Sequence, residues 1–352
     1  MSRSRDMADF GGSASSGGIT GKNRLQNGQF AVAQRGTTFA SGDNNDAAYT
    51  LDRWKIFSDG NDVIDVSQEA TTVPTNRLFA ASLDVETANK KFGIAQIVEH
   101  KNCVGLIGGK VTLSFQAKVS ETSKLDNVKA AIISWSSTAD SPTADMISAW
   151  GSEDTNPTLA SNFTYENTPA NLSVTSSYAK YSVTANVDTS GAKNIIVFIW
   201  SDVTDTTAGH FLYITDVQLE AGDTATDYEM KKYSDDLKEC MRYFYRLRKT
   251  NAYGEFCTIR TYSSDDGTGI IYFPQPMRVQ PTLAIDKTVN STNFAYSLNS
   301  ISIAASDVNV TQAGIAAASS SATAFVTGGG AVIQSNGASG AIDVSFDFAS
   351  EL

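Results

Sequence analysis

Histidine is the scarcest chemically versatile residue in this chain of 352 residues, which contains only His100 and His210. Neither lies in a recognisable catalytic motif, so triad-type or other histidine-dependent chemistry is nearly excluded. Cysteine is almost as scarce, and Cys103, Cys240 and Cys257 have no CxxC spacing. An odd, widely spaced set indicates neither a disulfide framework nor a zinc site, and we interpret these residues as buried thiols.

Basic residues are missing from the end of the chain, since no Lys or Arg follows Lys287. The formal net charge is −11, which disfavours nucleic acid as a partner. No apolar run approaches the roughly 20 residues that a membrane-spanning helix needs. The first ten residues, MSRSRDMADF, contain no apolar signal core. We therefore expect that the chain is synthesised in a cytoplasm and does not insert into a membrane.

The residues that are present favour an all-β protein of two domains. Hydrophobic residues make up 41% and charged residues 18%, and short apolar runs alternate with turn-forming residues. The segment VTLSFQAKVS (111–120) alternates strictly between apolar and polar side chains, which predicts an antiparallel strand with one buried face. The run Ile195–Trp200 is continuously apolar and predicts a strand covered on both faces.

These patterns predict four segments. Residues 1–22 form a flexible N-terminal segment, in which Met7 and Phe10 could present a small apolar face to a partner. Residues 23–229 form a β-sandwich, and residues 230–250 a linking amphipathic helix with apolar residues three and four apart. Residues 251–352 form a smaller C-terminal β-sandwich domain.

Candidate sites for chemistry are few. The 38 Asp and Glu residues guarantee many accidental carboxylate pairs, so no catalytic pair can be selected from spacing. The acid-rich loops 42–46 and 59–62 offer oxygen ligands for a structural calcium ion, although simple turns explain them as well. No other metal or cofactor is predicted. Sugar rings stack on aromatic faces, and Trp150, Tyr165 and Tyr178 are the candidates for such contacts. The polar residues 151–154 that follow Trp150 predict that it lies in an exposed loop.

Several ordered motifs resemble the tail-fibre proteins of tailed bacteriophages. They are NGQFAVAQRGTTF (27–39), YTLDRW (49–54) and the long segment DVQLEAGDTATDYEMKKYSDDLKECMRYFY (216–245). The start MSRSRDMADF and the segment FPQPMRVQPT also resemble fibre sequences, so the similarity reaches from Met1 to about Pro281. Two departures are mild: Asp236 stands where Glu is usual, and Phe244 interrupts a run of Tyr.

The resemblance implies a short fibre that is a virion structural protein, assembled in the host cytoplasm and located on the tail. It implies a jelly-roll sandwich, a homotrimer, and attachment of the N-terminus, with Met7 and Phe10, to the tail or an adaptor protein. The implied ligand is host surface polysaccharide, bound without catalysis. Four residues are expected at a subunit or domain interface: Leu237, Met241, Phe244 and Tyr245. The alternatives are a fibre adaptor or capsid decoration protein without receptor binding, and a polysaccharide depolymerase.

Overall fold

The computed structural model describes residues 21–250, 254–264, 266–287, 294–296, 299–306, 308–319, 329–335 and 344–352. The expected contacts of Met7 and Phe10 therefore lie outside the described residues. The described chain is almost entirely β-structure, which confirms the all-β fold class. It divides into two compact units: the first extends to Asp236 and takes in Leu352, and the second is Leu237–Glu351.

The first unit is an antiparallel sandwich of jelly-roll type. A six-stranded sheet has the order β1-β3-β4-β13-β6-β11, and a five-stranded sheet has the order β10-β7-β12-β5-β2. Strands β8 and β9 form a separate small pair. The bounds of these strands are β1 Thr38–Phe39, β2 Lys55–Ser58, β3 Ile64–Glu69, β4 Ala80–Val85, β5 Phe92–Val98, β6 Lys110–Val119, β7 Val128–Trp135, β8 Ile147–Ala149, β9 Thr158–Leu159, β10 Phe163–Tyr165, β11 Ala179–Asn186, β12 Asn194–Ser201 and β13 Phe211–Ala221.

The sequence pattern explains which faces are buried. On β6 the apolar residues of the alternating run pack into the core between the two sheets, and the polar ones lie on the outer face of the six-stranded sheet. Strand β12 is apolar throughout because both of its faces are covered. Ile195, Val197 and Ile199 join the core between the sheets, whereas Ile196, Phe198 and Trp200 join a second cluster on the outer face of the five-stranded sheet.

The second unit contains a three-stranded sheet of order β14-β22-β17 and a closed barrel of order β15-β16-β20-β19-β18-β21. The sequence predicted a smaller β-sandwich in this region, and the structure gives its arrangement as this sheet and this barrel. Closure removes exposed strand edges from the barrel. The bounds are β14 Phe244–Lys249, β15 Glu255–Thr261, β16 Asp266–Tyr272, β17 Thr282–Lys287, β18 Phe294–Tyr296, β19 Asn299–Ser306, β20 Gln312–Ser319, β21 Gly330–Ser335 and β22 Val344–Ala349.

The predicted linking helix over 230–250 is wrong at both ends. The helix is Tyr233–Met241, and residues from Phe244 onward form strand β14. Residues 244–249 adopt a strand instead of continuing the helix, because they pair with β22. This pairing stacks the ring of Tyr245 on that of Phe348, with ring centres 6.1 Å apart. One further short helix, His100–Cys103, has no clear sequence signal. We number the helices α1 (His100–Cys103) and α2 (Tyr233–Met241); within the described residues, no helix is long and apolar enough to cross a membrane.

The two motifs at the start of the sandwich form a buried structural turn. Asn27 has a left-handed backbone (φ 53°), and its carbonyl accepts a hydrogen bond from the indole of Trp54 at 2.9 Å. The Asn27 amide donates to the carbonyls of Val32 and Asp52 at 2.9 and 3.0 Å. Arg53 is buried and donates to the carbonyl of Ile97 at 2.7 Å. The YTLDRW motif therefore has a structural role, and Trp54 belongs to the core.

Candidate functional site

The outer face of the six-stranded sheet carries the candidate site. Antiparallel pairing aligns Tyr213 of β13 with Lys118 of β6, and the next row aligns Thr215, Gln116 and Lys180 across β13, β6 and β11. Side chains two residues apart on a strand share a face, so the two rows are adjacent. The sheet thus collects polar and aromatic groups from strands far apart in the sequence.

Asp216 is turned onto this face by a β-bulge. The register of β13 against β6 shifts between Thr215 and Gln218, and Asp216 has a left-handed φ of 53°. A bulge re-aims a side chain that regular alternation would place on the other face, and Asp tolerates this backbone conformation better than most residues. The Asp216 carboxylate, 3% exposed, accepts from Arg77 at 2.7 Å and from Gln116 at 2.6 Å.

Two other segments complete this network. Gln29, from the first motif, donates to Asp216 at 2.9 Å. Arg77 comes from the β3–β4 loop, which begins with a tight turn in which the Glu69 carboxylate accepts from the backbone and hydroxyl of Thr71. The hydrogen bonds to Thr71 and to neighbouring amides lower the pKa of Glu69 despite its partial burial. The acid therefore stays ionised and holds the loop that delivers Arg77.

A cleft of about 340 Å³ remains open between these segments and the sheet. Its volume is within the range of small-ligand sites, and hydrogen-bonding side chains line most of it. Lys180 on one wall donates to the carbonyls of Ala225 and Thr226. Burial raises the pKa of the Tyr228 phenol far above its usual range, so this hydroxyl stays protonated. The lining residues are Arg77, Ser114, Phe115, Gln116, Lys180, Asp216, Asp227 and Tyr228.

An aromatic group lies beside the cleft, in the adjacent row of the sheet. The Lys118 ammonium is 5.9 Å from the ring centre of Tyr178 and 5.6 Å from that of Tyr213. The Tyr178 hydroxyl donates to the carbonyl of Thr72 at 2.8 Å, which ties β11 to the β3–β4 loop. Burial raises the pKa of the Tyr178 phenol, so it remains a neutral donor. Tyr178 is the predicted aromatic residue that lies beside the cleft.

Trp150 and Tyr165 lie on the other sheet, so the three predicted aromatic residues do not form one site. Trp150 was expected in an exposed loop, but it is only 9% exposed and packs its ring 6.2 Å from that of Phe198. Its loop folds back over the apolar outer face of the five-stranded sheet. Tyr165 is half-buried 6.5 Å from the ring of Trp200, and its hydroxyl donates to Pro157 at 2.9 Å.

The residues expected at an interface lie partly within the core of their own unit. Phe244 is buried, and Tyr245 packs against Phe273 and Phe348. Leu237 and Met241 on helix α2 are partly exposed. A contact between subunits stays a prediction for all four.

The acid-rich loops expected to suit calcium carry internal hydrogen bonds. The Asn44 amide donates to the carboxylates of Asp62 and Asp65, each at 2.9 Å. The Asp46 carboxylate accepts from the backbone of Ser58 at 2.8 Å. Among the described residues, no three acidic, histidine or cysteine side chains are grouped as metal ligands. The possible calcium ion stays a prediction.

One carboxylate pair lies near the aromatic group. Asp84 of β4 is directly opposite Asp65 of β3, an arrangement that places the two Cβ atoms about 4.5–5.5 Å apart. Burial, with repulsion from Glu86 and Asp65, raises the pKa of Asp84 to about 6. Asp84 also interacts electrostatically with Tyr213. Burial and the neighbouring acids Glu86 and Asp62 also raise the pKa of Asp65. An acid with a raised pKa beside a second carboxyl group can donate a proton, which is one of the requirements of glycoside hydrolysis.

Sequence reasoning missed most of the site, namely Arg77, Gln116, Lys118, Lys180, Tyr213 and Asp216. The alternation of β6 does place Gln116 and Lys118 on the solvent side. No signal in one sequence shows that β11 and β13 flank β6, or that a bulge turns the side chain of Asp216 onto this face.

No protein-family model and no curated protein sequence matches the chain. Among solved structures, the chain is similar to the enzymatically active domain of tailspike protein 4 of bacteriophage CBA120, with TM-score 0.34 and 14% identity. That alignment covers 57% of this chain and 22% of the tailspike domain. It is also similar to carbohydrate-binding modules from the beta-sandwich super family, with TM-score 0.34, 10% identity, and 54% and 63% of the two chains covered. The N-terminal CBM22-1-CBM22-2 tandem domain of Paenibacillus barcinonensis Xyn10C aligns over 89% of this chain and 100% of its own, with TM-score 0.31 and 9% identity. Similarity this low assigns no function to the chain.

Proposed function

We propose that this chain is a bacteriophage tail-fibre protein that contacts host surface glycans through the outer face of its six-stranded sheet. The observation that carries the proposal is the cleft built around Asp216. Arg77, Gln116 and Gln29 are held there by hydrogen bonds to one buried carboxylate, so their remaining donors and acceptors are ordered before a ligand arrives. Preorganised polar groups beside Tyr178 suit the hydroxyls and ring faces of a sugar.

The tail-fibre part of the proposal is supported by the ordered motifs, two of which meet at this site. Gln29 belongs to the NGQF motif and Asp216 to the DVQLE segment, and their side chains are joined by a hydrogen bond. We propose further that the protein is a homotrimer located on the virion tail. Its N-terminal segment would attach it to the tail or to an adaptor protein, and it would bind glycans without hydrolysing them.

Adsorption competition tests this function. Purified full-length protein is added to host cells before the parent phage, and the particles that remain free are counted. Dose-dependent blocking by the wild type, weakened roughly tenfold in Gln116→Ala and unchanged in Lys101→Ala, is the expected result. Lys101 is exposed on helix α1 and provides the matched control. A large excess of protein that leaves adsorption unchanged would favour an adaptor or capsid decoration protein.

The Asp65–Asp84 pair supports a depolymerase as the second candidate. Incubation of the protein with host envelope polysaccharide would then release new reducing ends, and Asp84→Asn would abolish the release. The binding-only proposal predicts no reducing ends above the level given by heat-denatured protein.

A further inference from the structure

Among the residues that the structure describes, the Lys118 ammonium on the outer face of the six-stranded sheet has no acidic partner. It is partly exposed, and its nearest cation-binding groups are the rings of Tyr178 and Tyr213. In the described part of the chain, no carboxylate lies within ion-pairing distance of it. By contrast, the exposed Lys110 and the partly exposed Lys124 of the same unit are paired with aspartates at 3.0 and 2.8 Å.

The two other cations near the cleft already have hydrogen-bond partners. Arg77 forms an ion pair with the nearly buried Asp216, and Lys180 is held by two backbone carbonyls opposite the exposed Asp227. The acids Asp65 and Asp84 lie on β3 and β4, on the far side of β13 from Lys118. Glu69 interacts electrostatically with Tyr178 and Tyr213, and its carboxylate is held by the turn at Thr71. The ammonium groups of this face thus lie on β6 and β11, and Lys118 is the one that the rings of Tyr178 and Tyr213 flank.

We infer that this face selects glycans that carry a carboxylate, and that Lys118 binds that carboxylate. This inference rests on the proposed glycan-binding function and names the class of sugar. A partly desolvated ammonium flanked by two rings gains more from a charge-assisted hydrogen bond than a fully hydrated one does. The net charge of −11 repels acidic polymers in general, so their binding requires a local group of this kind.

The test compares polymers that differ only in charge. Polygalacturonate and polysialic acid are each immobilised beside the methyl-esterified form of the same polymer, together with neutral dextran and mannan. Binding of the full-length protein is measured by biolayer interferometry at low and high salt. We expect at least one acidic polymer to bind roughly tenfold more tightly than its ester, with the difference reduced by salt.

Variants of Lys118 identify the group responsible. Lys118→Met should remove the preference for the acidic form, and Lys118→Arg should retain it. Lys124→Met, which changes a partly exposed lysine in the loop after β6 that is paired with Asp205, should leave it unchanged. Lys118→Gln, with a similar stem and no charge, is the second variant, used if the Met variant does not fold. Retention of the preference in a folded, uncharged variant would overturn the role of Lys118.

The remaining outcomes separate this inference from the function on which it rests. Equal binding to the acidic and esterified forms, with weaker binding in Gln116→Ala, would overturn the selection of acidic sugars and leave glycan binding intact. Absence of binding to every polymer, acidic or neutral, would contradict the proposed function and this inference together.

Discussion

Replacement of Asp216 is the most direct perturbation of the cleft. The carboxylate is 3% exposed and is the shared acceptor for side chains from three separate segments, carried by Arg77, Gln116 and Gln29. Asp216→Ala removes the acceptor and leaves a guanidinium and two amides without their partner. It also places a Cβ-bearing residue without a polar side chain at a φ of 53°.

The expected loss of stability follows from these two effects. Breaking a buried ion pair costs about 3–5 kcal/mol, and the lower end applies here because Arg77 is 21% exposed and can rehydrate. The left-handed backbone adds about 1 kcal/mol for Ala. We therefore expect Asp216→Ala to lower the free energy of unfolding by about 4 kcal/mol. Asp216→Gly, which loses the carboxylate without adding backbone strain, should lower it by about 3 kcal/mol. Asp216→Asn keeps an acceptor and a tolerated backbone, so about 1–2 kcal/mol is expected.

Tryptophan fluorescence in a denaturant titration measures this loss in the intact protein. All four tryptophans precede residue 237, so the signal reports the first unit alone. The three variants should rank Ala, Gly, Asn from the least stable upward. If Asp216→Ala lies within about 0.5 kcal/mol of the wild type, the ion pair and bulge do not stabilise the sandwich and the reasoning fails.

Three further perturbations test other parts of the first unit by the same titration. Gly28→Ala would place a Cβ 2.2 Å from the Val217 carbonyl oxygen and should destabilise by about 3 kcal/mol, whereas Gly105→Ala meets nothing within 4 Å and should be neutral. Equal effects of the two would contradict the close approach. The pKa of Asp84 is raised to about 6, so the folded state binds this proton more tightly than the unfolded state does. Below the ordinary pKa of 3.8 the carboxyl is protonated in both states and does not destabilise the fold. As the pH rises toward and through 6, the carboxyl ionises in the folded state and the free energy of unfolding falls. Asp84→Asn should match the wild type near pH 4 and be about 1 kcal/mol more stable near pH 7.5, after allowance for solvent screening, and a constant difference at both pH values would refute the shift. Lys91→Met removes a buried ammonium from four oxygen acceptors and should destabilise by about 3–5 kcal/mol, while a change below about 1 kcal/mol would show that the buried charge is dispensable.

Local patterns were sufficient to predict the fold class and several individual strands. The alternation on β6 and the continuous apolar run on β12 each correspond to the faces that the sandwich buries. The helix after residue 230 was predicted too long because the apolar spacing of residues 244–249 fits both the helical period and the strand period. Their pairing with β22, about 100 residues later in the sequence, decides between the two, and single-sequence periodicity contains no information about such a partner.

The misplacement of Trp150 has a related cause. Polar neighbours in the sequence suggested an exposed loop, but that loop is fixed by the buried Lys91, whose ammonium bonds the carbonyls of Trp150, Ser152 and Thr155. The polar backbone is thus satisfied internally, and the indole is free to pack on Phe198. A buried lysine that organises a loop is invisible in a sequence, where lysine ordinarily indicates a surface position.

The cleft depends on contacts of the longest range, which explains why its residues could not be identified individually. Gln29 and Asp216 are 187 positions apart, and Arg77 reaches the same carboxylate from 139 positions away. Each residue alone is an ordinary polar side chain, and their convergence depends on the order β4-β13-β6-β11 and on the bulge in β13. The motifs that carry the resemblance to tail fibres therefore do more than stabilise the sandwich. Because NGQF and DVQLE supply Gln29 and Asp216 to one network, a change in either motif alters the cleft, and the stability of the sandwich and the arrangement of the cleft are coupled through the same carboxylate.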